Sequence, residues 1–228
     1  MNVLLVYCHP EPGSFTHALL EIAKAAITAE GCTYEVSDLY GEGFNPVAGR
    51  HDFETCADPD YFHYQTEQAH AAAHDAYSPE VQREQDRVRR ADMLVFLYPL
   101  WWGGPPAMLK GWFDRVLSYG FAYVDGARFE TGLFKDRSSL MCVSTGGTVA
   151  RFSAGGTYGT IDQVLWPMQH CQLRYLGMEV LEPFVAYASP RVGDEGRHTH
   201  LSDWNAALRS VVAAKAQALS ANRAGTNP

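Results

Sequence analysis

Residues 96 to 123 read FLYPLWWGGPPAMLKGWFDRVLSYGFAY. An apolar run ends at Pro99, and two adjacent tryptophans follow it in a bend rich in glycine and proline. Beyond the bend, apolar residues recur at helical spacing and predict an amphipathic helix, namely Leu109, Trp112, Phe113, Val116 and Leu117. The stretch therefore predicts a buried strand, a loop at its carboxyl end and a helix that packs back on a sheet.

The same alternation of strand and helix extends in both directions from this stretch. Apolar runs predict buried strands at residues 3–7, 33–39, 93–98, 138–144 and 178–187. Helical patterns separate them, and an amphipathic helix is predicted from about residue 201 to 221, followed by a frayed tail at 222–228. This order predicts an α/β fold, a doubly wound five-stranded parallel sheet with helices on both faces. The first turn, HPEPGSF, has a single glycine, so the GxGxxG dinucleotide fingerprint is absent.

Residues 40–78 interrupt this rhythm. They are rich in glycine, proline, aspartate, histidine and aromatic residues, and they predict a long loop excursion. A loop of this length within a compact domain usually has a function. We expect one domain over residues 1–190, which includes the excursion, and a C-terminal helix and tail at 191–228 packed on the same domain.

Composition excludes several classes of partner. The 228 residues carry a net charge of −8 and no block of lysine or arginine, so we expect no nucleic acid and no anionic membrane surface as partner. The N-terminus leads directly into the first strand without a basic leader, which favours a cytoplasmic location. His70 and His74 are spaced to share a helix face, but no further ligand cluster accompanies them, and we expect no metal site.

In a parallel sheet, the loops after the first, third and fourth strands open at the same edge, where ligands bind. In the first of these loops, Ser14 precedes a helix whose first backbone N–H groups belong to Phe15 and Thr16. Such a helix start binds phosphate without a cationic side chain. The alternative is that Ser14 only caps the helix.

The second and third loops also have unusual composition. Adjacent exposed tryptophans are costly unless a flat apolar partner covers them, and Gly103 and Gly104 allow a ligand to approach the backbone. The alternative places one indole in the core and one over a neighbouring helix. The third loop, STGGTVARFSAGGTYG at 144–159, contains five glycines and several hydroxyls. It is suited to offer backbone N–H groups to a polar ligand edge, although it could also be a flexible connection.

Together these stretches resemble a known family. The motifs are YPLWWGGPPAMLKGWFDRV (98–116), FAY (121–123), STGG (144–147), LWPMQ (165–169), LEPF (181–184) and the pair SDLY and FNPV within 37–47. They are similar to those of the NAD(P)H:quinone oxidoreductases of the flavodoxin-like superfamily. The similarity covers nearly the whole chain and implies a flavodoxin-like fold.

The resemblance implies a homodimer in which each site binds one FAD beneath a shared substrate pocket. It places His9, Ser14, Phe15, Thr16 and Ala18 at the pyrophosphate and ribityl side, Pro99, Leu100, Trp101 and Trp102 along the isoalloxazine, and Thr145, Gly146 and Gly147 at its pyrimidine side. Arg197 and Leu201 match positions near the adenine, and His63 would reach the partner's FAD. These last matches favour FAD over FMN, and the excursion at 40–78 is then interpreted as a dimer arm.

The resemblance also implies the reaction. NAD(P)H gives a hydride to the flavin and leaves, and a quinone or similar flat acceptor then enters the same place and is reduced. The better-known members have a tyrosine and a histidine where this chain has Phe152 and Tyr158. We hypothesise that Tyr158 is the remaining catalytic donor, helped by the amides of Gly146 and Gly147, although a phenol is a poorer proton source than an imidazole. The alternative is that both rings only pack.

The expected substrate pocket contains four residues, namely Trp102, Tyr123, Asp125 and Arg128, with Tyr123 supplied by the partner chain. Asp125 and Arg128 stand where an apolar lid is expected, which suggests a changed acceptor preference. Three alternatives stay open. They are a flavin-binding regulatory subunit of a potassium-efflux membrane protein, an FMN-dependent azo- or nitroreductase, and a flavin-free binding module.

Overall fold

A parallel sheet forms the centre of the molecule in the computed structural model, which describes residues 1–225, with side chains through residue 221. Its strands are β1 (Asn2–Tyr7), β2 (Thr33–Asp38), β3 (Met93–Pro99), β4 (Ser138–Ser144), β5 (Glu179–Val180) and β6 (Phe184–Ala186). They lie in the order β2-β1-β3-β4-β5, all parallel, and β6 continues the line of β5 along β4. The predicted doubly wound, five-stranded fold is confirmed, and the strand order reverses between β1 and β3.

Six helices surround the sheet. They are α1 (Phe15–Ala29), α2 (Tyr64–His74), α3 (Pro79–Arg90), α4 (Ala107–Val116), α5 (Ile161–Met168) and α6 (Gly193–Gly225). One face of the sheet packs on α1 and α6, and the other packs on α3, α4 and α5. Trp204 of α6 is fully buried and donates its indole N–H to the carbonyl of Leu19 at 2.9 Å, which holds α6 against α1. Within the described residues, no helix is long and apolar enough to cross a membrane.

The last strand differs from the single run predicted at 178–187. It pairs with β4 as two short pieces, with Val180 opposite Ser139 and Phe184 opposite Cys142. The outer strand therefore advances one residue more than β4 between these pairs, which is a bulge. Pro183 lies in this interval and has no N–H to donate, so a continuous ladder is not possible there.

The C-terminal helix begins at Gly193, well before the predicted start at residue 201. Residues 193–200, GDEGRHTH, have no apolar stripe, so periodicity does not reveal this first part. Asp194 and Glu195 lie in the first turn, where acidic side chains interact favourably with the helix dipole. The predicted tail at 222–228 is helical backbone through Gly225, and its remainder lies outside the described residues.

The excursion at 40–78 is not the uninterrupted loop that its composition predicts, because it contains α2. This helix buries polar side chains instead of an apolar stripe, and Glu67 accepts hydrogen bonds from the backbone N–H groups of Ala57 (2.7 Å) and Asp58 (3.3 Å). The base of the excursion is held by a buried ion pair between Asp52 and Arg115 of α4, with 2.7 Å between Arg115 Nε and Asp52 Oδ1. The excursion is therefore anchored to the domain at Asp52 and stabilised internally at Glu67, while residues 54–61 between these points are exposed.

Candidate functional site

Two adjoining cavities lie at the carboxyl edge of the sheet and share Leu100, Thr145 and Gly146. The helix cavity, of about 470 Å³, is lined chiefly by His9, Gly13, Phe15, Thr16, Trp101 and Arg197. The loop cavity, of about 440 Å³, is lined chiefly by Trp102, Gly147, Arg151, Phe152, Tyr158 and Arg191. Each is within the size range of small-molecule sites, and together they form one cleft where the strand order reverses.

The start of α1 supplies the floor of the helix cavity. Ser14 caps the helix, since its Oγ accepts the N–H of His17 at 3.1 Å. Thr16 is 2% exposed, and its Oγ1 lies 3.0 Å from Ser144 Oγ at the end of β4. The first-turn N–H groups of Phe15 and Thr16 have no partner within the helix, which leaves them for an anionic ligand.

His9 adds a neutral donor to the same cavity. Its Nδ1 accepts the backbone N–H of Glu11 at 3.0 Å, and burial lowers the pKa of the imidazole. The neutral ring therefore carries its proton on Nε2. The ring packs edge-on to Trp101, with 6.2 Å between the ring centroids, and this contact fixes its orientation beside the helix start.

The adjacent tryptophans lie on a tight turn at the end of β3. Trp101 N–H donates to Gly104 O at 2.9 Å and Gly104 N–H donates to Trp101 O at 3.0 Å, while Trp102 (φ 51°) and Gly103 (φ 73°) are left-handed. A non-glycine residue in this region costs about 1 kcal/mol. Trp101 is 42% exposed and Trp102 is completely exposed. The alternative that one indole lies in the core is therefore wrong within the single chain.

In the loop after β4, the amides of Thr145 and Gly147 are already hydrogen-bonded, and the amide of Gly146 is left for a ligand. Thr145 N–H donates to Ala186 O at 3.1 Å, and Gly147 N–H donates to Thr145 Oγ1 at 3.1 Å. The expected donor role of Gly147 is therefore occupied within the loop, and its contribution is the space that its missing side chain leaves. Gly146 is exposed and lines both cavities. Its N–H and the proton of the Thr145 hydroxyl remain for a ligand.

Phe152 and Tyr158 have different environments. Phe152 is 8% exposed and packs between Tyr158 and Tyr187, with centroid distances of 5.1 and 5.9 Å. Tyr158 is 48% exposed, and its hydroxyl accepts a hydrogen bond from Arg151 Nη1 at 3.3 Å. Phe152 therefore packs against two rings and also lines the loop cavity, whereas Tyr158 presents a polarised phenol to that cavity.

Sequence analysis missed two cations in the loop cavity, Arg151 and Arg191. Arg191 donates from its guanidinium to the carbonyl of Gly146. Arg151 lies within the glycine-rich loop at 144–159, where its side chain has no distinguishing sequence pattern. A signal for Arg191 was present, because it follows the last strand and the loop after that strand opens at the same edge as the other three.

Five other predicted contact residues occupy different parts of this region. Arg197 lines the helix cavity and pairs with Asp194 one turn earlier on α6. Leu201 is half-buried and packs with the core between α1 and the sheet. Ala18 lies one turn into α1 and is absent from the lining of both cavities. Pro99 and Leu100 both line the cleft.

Four predicted residues are not brought to this cleft by the single chain. His63 caps α2 by accepting the N–H of Thr66. Tyr123 lines a separate cavity of about 340 Å³ together with Phe113 and Tyr175. Asp125 and Arg128 are exposed on the hairpin after Tyr123. In the part of the chain that the structure describes, no group of three or more His, Cys, Asp or Glu side chains is placed to hold a metal ion.

The cleft fits a flavin by its shape and its donors. A Cβ placed on Gly103 or Gly104 would have no neighbour within 4 Å, so the face of this turn is open to a ligand. The exposed indole of Trp102 supplies an apolar surface for a flat ring, and the Gly146 amide supplies a donor for a polar ring edge. The start of α1 supplies an anion site in the helix cavity, which adjoins the loop cavity where Trp102 and Gly146 lie.

Comparisons with known proteins agree with this description. Residues 1–208 match the family model described as Flavodoxin-like fold. The chain is 37% identical to the rat ribosyldihydronicotinamide dehydrogenase [quinone], over 92% of this chain and 91% of the relative. It is 36% identical to the guinea pig NAD(P)H dehydrogenase [quinone] 1, over 92% of this chain and 77% of the relative. A Klebsiella pneumoniae structure assigned provisionally as a quinone reductase superposes with a TM-score of 0.89 at 31% identity, covering 92% of this chain and 85% of that one.

Proposed function

The chain belongs to the NAD(P)H dehydrogenase (quinone) family of flavodoxin-like proteins, and from this premise we propose that it binds FAD and transfers hydride from NAD(P)H to quinones or similar flat acceptors. It is an oxidoreductase of the quinone-reductase type. The observation that carries the proposal is the strained turn at the end of β3, which holds Trp102 fully exposed beside the loop cavity. Residues held in a strained backbone conformation cluster at ligand sites, and Trp102 combines such strain with full exposure beside a cavity.

The flavin supplies the redox chemistry, because it can take a hydride from the dihydronicotinamide and pass two electrons on to the acceptor. The overall reaction is NAD(P)H, one proton and a quinone going to NAD(P)+ and a hydroquinone. The protein positions both substrates in turn, excludes water and supplies hydrogen bonds. The indole of Trp102 and the backbone at Gly103 and Gly104 would flank the flat rings.

The helix cavity is suited to the phosphates of the flavin. The free N–H groups at the start of α1 and the Nε2–H of His9 would donate to phosphate oxygens, and Arg197 would supply a cation from the lining of the same cavity. The Gly146 N–H and the Thr145 hydroxyl would be the donors for the polar edge of the ring. This division assigns one cavity to the phosphates and the other to the ring and the substrates.

Tyr158 is the proposed proton donor to the acceptor oxygen. Its hydroxyl faces the loop cavity, and the Arg151 guanidinium 3.3 Å away stabilises negative charge that develops on the phenol oxygen. Phe152, which occupies the other position of the pair, holds the phenol ring in place from behind.

Replacement of Tyr158 by phenylalanine is expected to slow acceptor reduction roughly 10- to 100-fold, because the ring stays and only the donor is lost. Stopped-flow measurement of flavin reduction and reoxidation with a neutral quinone gives the two rates separately. Tyr187→Phe is the matched control, since that ring lies behind Phe152, and a change of less than twofold is expected. Unchanged rates in the Tyr158→Phe variant would remove the proposed role.

We also propose a homodimer. His63, Tyr123, Asp125 and Arg128 lie away from the cleft of their own chain, as residues that serve a neighbouring site would. In such an arrangement, Tyr123 and its hairpin close the substrate pocket of the partner. The excursion is anchored on α4 through the pair of Asp52 and Arg115, which gives a dimer arm a rigid base.

Flavin release tests the cofactor part of the proposal. We expect the purified protein to be yellow, and denaturation to release FAD with a mass that distinguishes it from FMN. The holoprotein is then assayed with quinones, nitroaromatics and azo dyes. FMN together with fast azo reduction would support the azoreductase alternative, and slow turnover with capture of a membrane partner would support the regulatory-subunit alternative. A colourless protein that does not bind flavin contradicts the proposal.

A further inference from the structure

We propose that Arg151 and Arg191 make the loop cavity selective for hydride donors that carry phosphate, which are NADH and NADPH, over uncharged dihydronicotinamide riboside. This inference rests on the proposed function and names the donor class for the same site. Of the two relatives described above, one is named for ribosyldihydronicotinamide and the other for NAD(P)H. The two kinds of donor have the same dihydronicotinamide ring, so what distinguishes them is the negative charge of the phosphates.

The first observation is that this cavity carries positive charge without compensation. Both arginines line it, and none of its lining residues is an aspartate or glutamate. Within the described residues, neither Arg151 nor Arg191 lies within ion-pair distance of a carboxylate. The whole chain has 26 acidic and 18 basic residues, so two unpaired guanidinium groups in one cavity run against its overall charge.

The second observation is that both guanidinium groups are exposed and hydrogen-bond to neutral partners. Arg191 donates to the carbonyl of Gly146, and Arg151 donates to Tyr158 Oη at 3.3 Å with its Cζ 5.9 Å from the centre of that ring. A guanidinium has five N–H donors, so each arginine keeps free donors after making these contacts. Groups that are already oriented lose less entropy when they bind an anion, and a planar guanidinium suits phosphate oxygens.

The third observation is that the flavin phosphates have a separate site. The helix cavity has the free N–H groups at the start of α1, His9 and Arg197 for a pyrophosphate. Arg151 and Arg191 are in the other cavity, which serves the substrates, and are available for a second anion. Quinones need no charge, whereas NADH and NADPH always carry a pyrophosphate next to the nicotinamide ribose. We therefore assign the two cations to the donor.

Steady-state and stopped-flow kinetics of the holoprotein test this assignment with NADPH, NADH and dihydronicotinamide riboside. For Arg151→Gln and Arg191→Gln, we expect the ratio of kcat/KM with each nucleotide to kcat/KM with the riboside to fall about tenfold, whatever each variant does to the rate that the donors share. The conservative variants, with lysine at either position, keep the charge and should recover most of the loss. Arg209→Gln is the control, because it removes an exposed arginine of α6 that pairs with Glu30 on the outer surface.

Direct binding gives a readout that does not depend on turnover. Calorimetric titration with a tetrahydro-NADPH, which cannot give up a hydride, should show a Kd that is about tenfold weaker in each glutamine variant. The wild-type Kd should also weaken as salt rises, whereas the variants should respond less. This measurement applies even if a variant has an altered rate of hydride transfer.

Several outcomes would overturn the inference. Equal losses with nucleotide and riboside would mean that the arginines only shape the loop. A loss confined to a sulfonated naphthoquinone, with menadione and all donors unaffected, would assign the cations to the acceptor. A wild-type protein that prefers the riboside would contradict the charge argument directly. If no donor reduces the bound flavin, the proposed function itself fails, and that result is distinct from an altered ranking of donors.

Discussion

Replacement of Gly147 by alanine is expected to weaken flavin binding at least about tenfold in a protein that still folds. A Cβ at this position would lie 2.5 Å from Phe152 Cε2 and 3.2 Å from Tyr158 Cε2. The backbone of Gly147 is not left-handed, so the cost is a steric one, about 1–3 kcal/mol. The rings can relieve the clash only by moving, and Tyr158 borders the loop cavity where the flavin ring is proposed to bind.

Fluorescence titration of flavin into the apoprotein measures this effect, and thermal unfolding of the same apoprotein shows that the chain is folded. The double variant Gly147→Ala with Phe152→Leu provides a rescue, because a shorter side chain removes the closest contact. Most of the affinity should return in it. Wild-type affinity in the single variant would show that the flavin ring does not depend on the position of these side chains.

Replacement of Arg115 by methionine is expected to lower the free energy of unfolding by about 3–5 kcal/mol. Arg115 and Asp52 are each 1% exposed, and the arginine also contacts Glu80 and the carbonyl of Asn45. Methionine fills most of the space but leaves the carboxylate of Asp52 without its cation. A buried, unpaired charge is far more costly than the net stabilisation of the pair itself.

Urea unfolding at fixed protein concentration measures this loss, with Lys110→Met as the control. Lys110 is on the same helix and pairs with Asp114 at 2.5 Å, but both side chains are about half exposed. Removal of such a surface pair should cost no more than about 1 kcal/mol. Asp52→Asn combined with Arg115→Met should recover part of the stability. Equal effects of the arginine and lysine variants would contradict the buried-pair explanation.

The central fold could be predicted from the sequence because burial on both faces leaves a simple signal. β3 and β4 are buried at every residue, and their apolar runs were recognised from composition alone. The positions of the ligand loops followed from the parallel order, since strand ends at one edge must share that edge. These inferences need no knowledge of individual side-chain contacts.

Features that depend on polar contacts could not be predicted in the same way. The helix α2 buries Glu67 and Gln68, and no apolar stripe marks it in the sequence. Whether Gly147 N–H faces a ligand or Thr145 depends on loop geometry that composition does not reveal. Arg151 and Arg191 lie 40 residues apart and meet at one cavity only because the ends of β4 and β6 are adjacent.

The exposed indole of Trp102 also links self-association of the polypeptide to the supply of its proposed flavin. Without a cofactor, the chain exposes Trp102 and much of Trp101 side by side. Exposed apolar patches of this kind promote self-association. In the holoprotein proposed above the flavin covers this surface, so the flavin-free chain is expected to self-associate more readily than the loaded one.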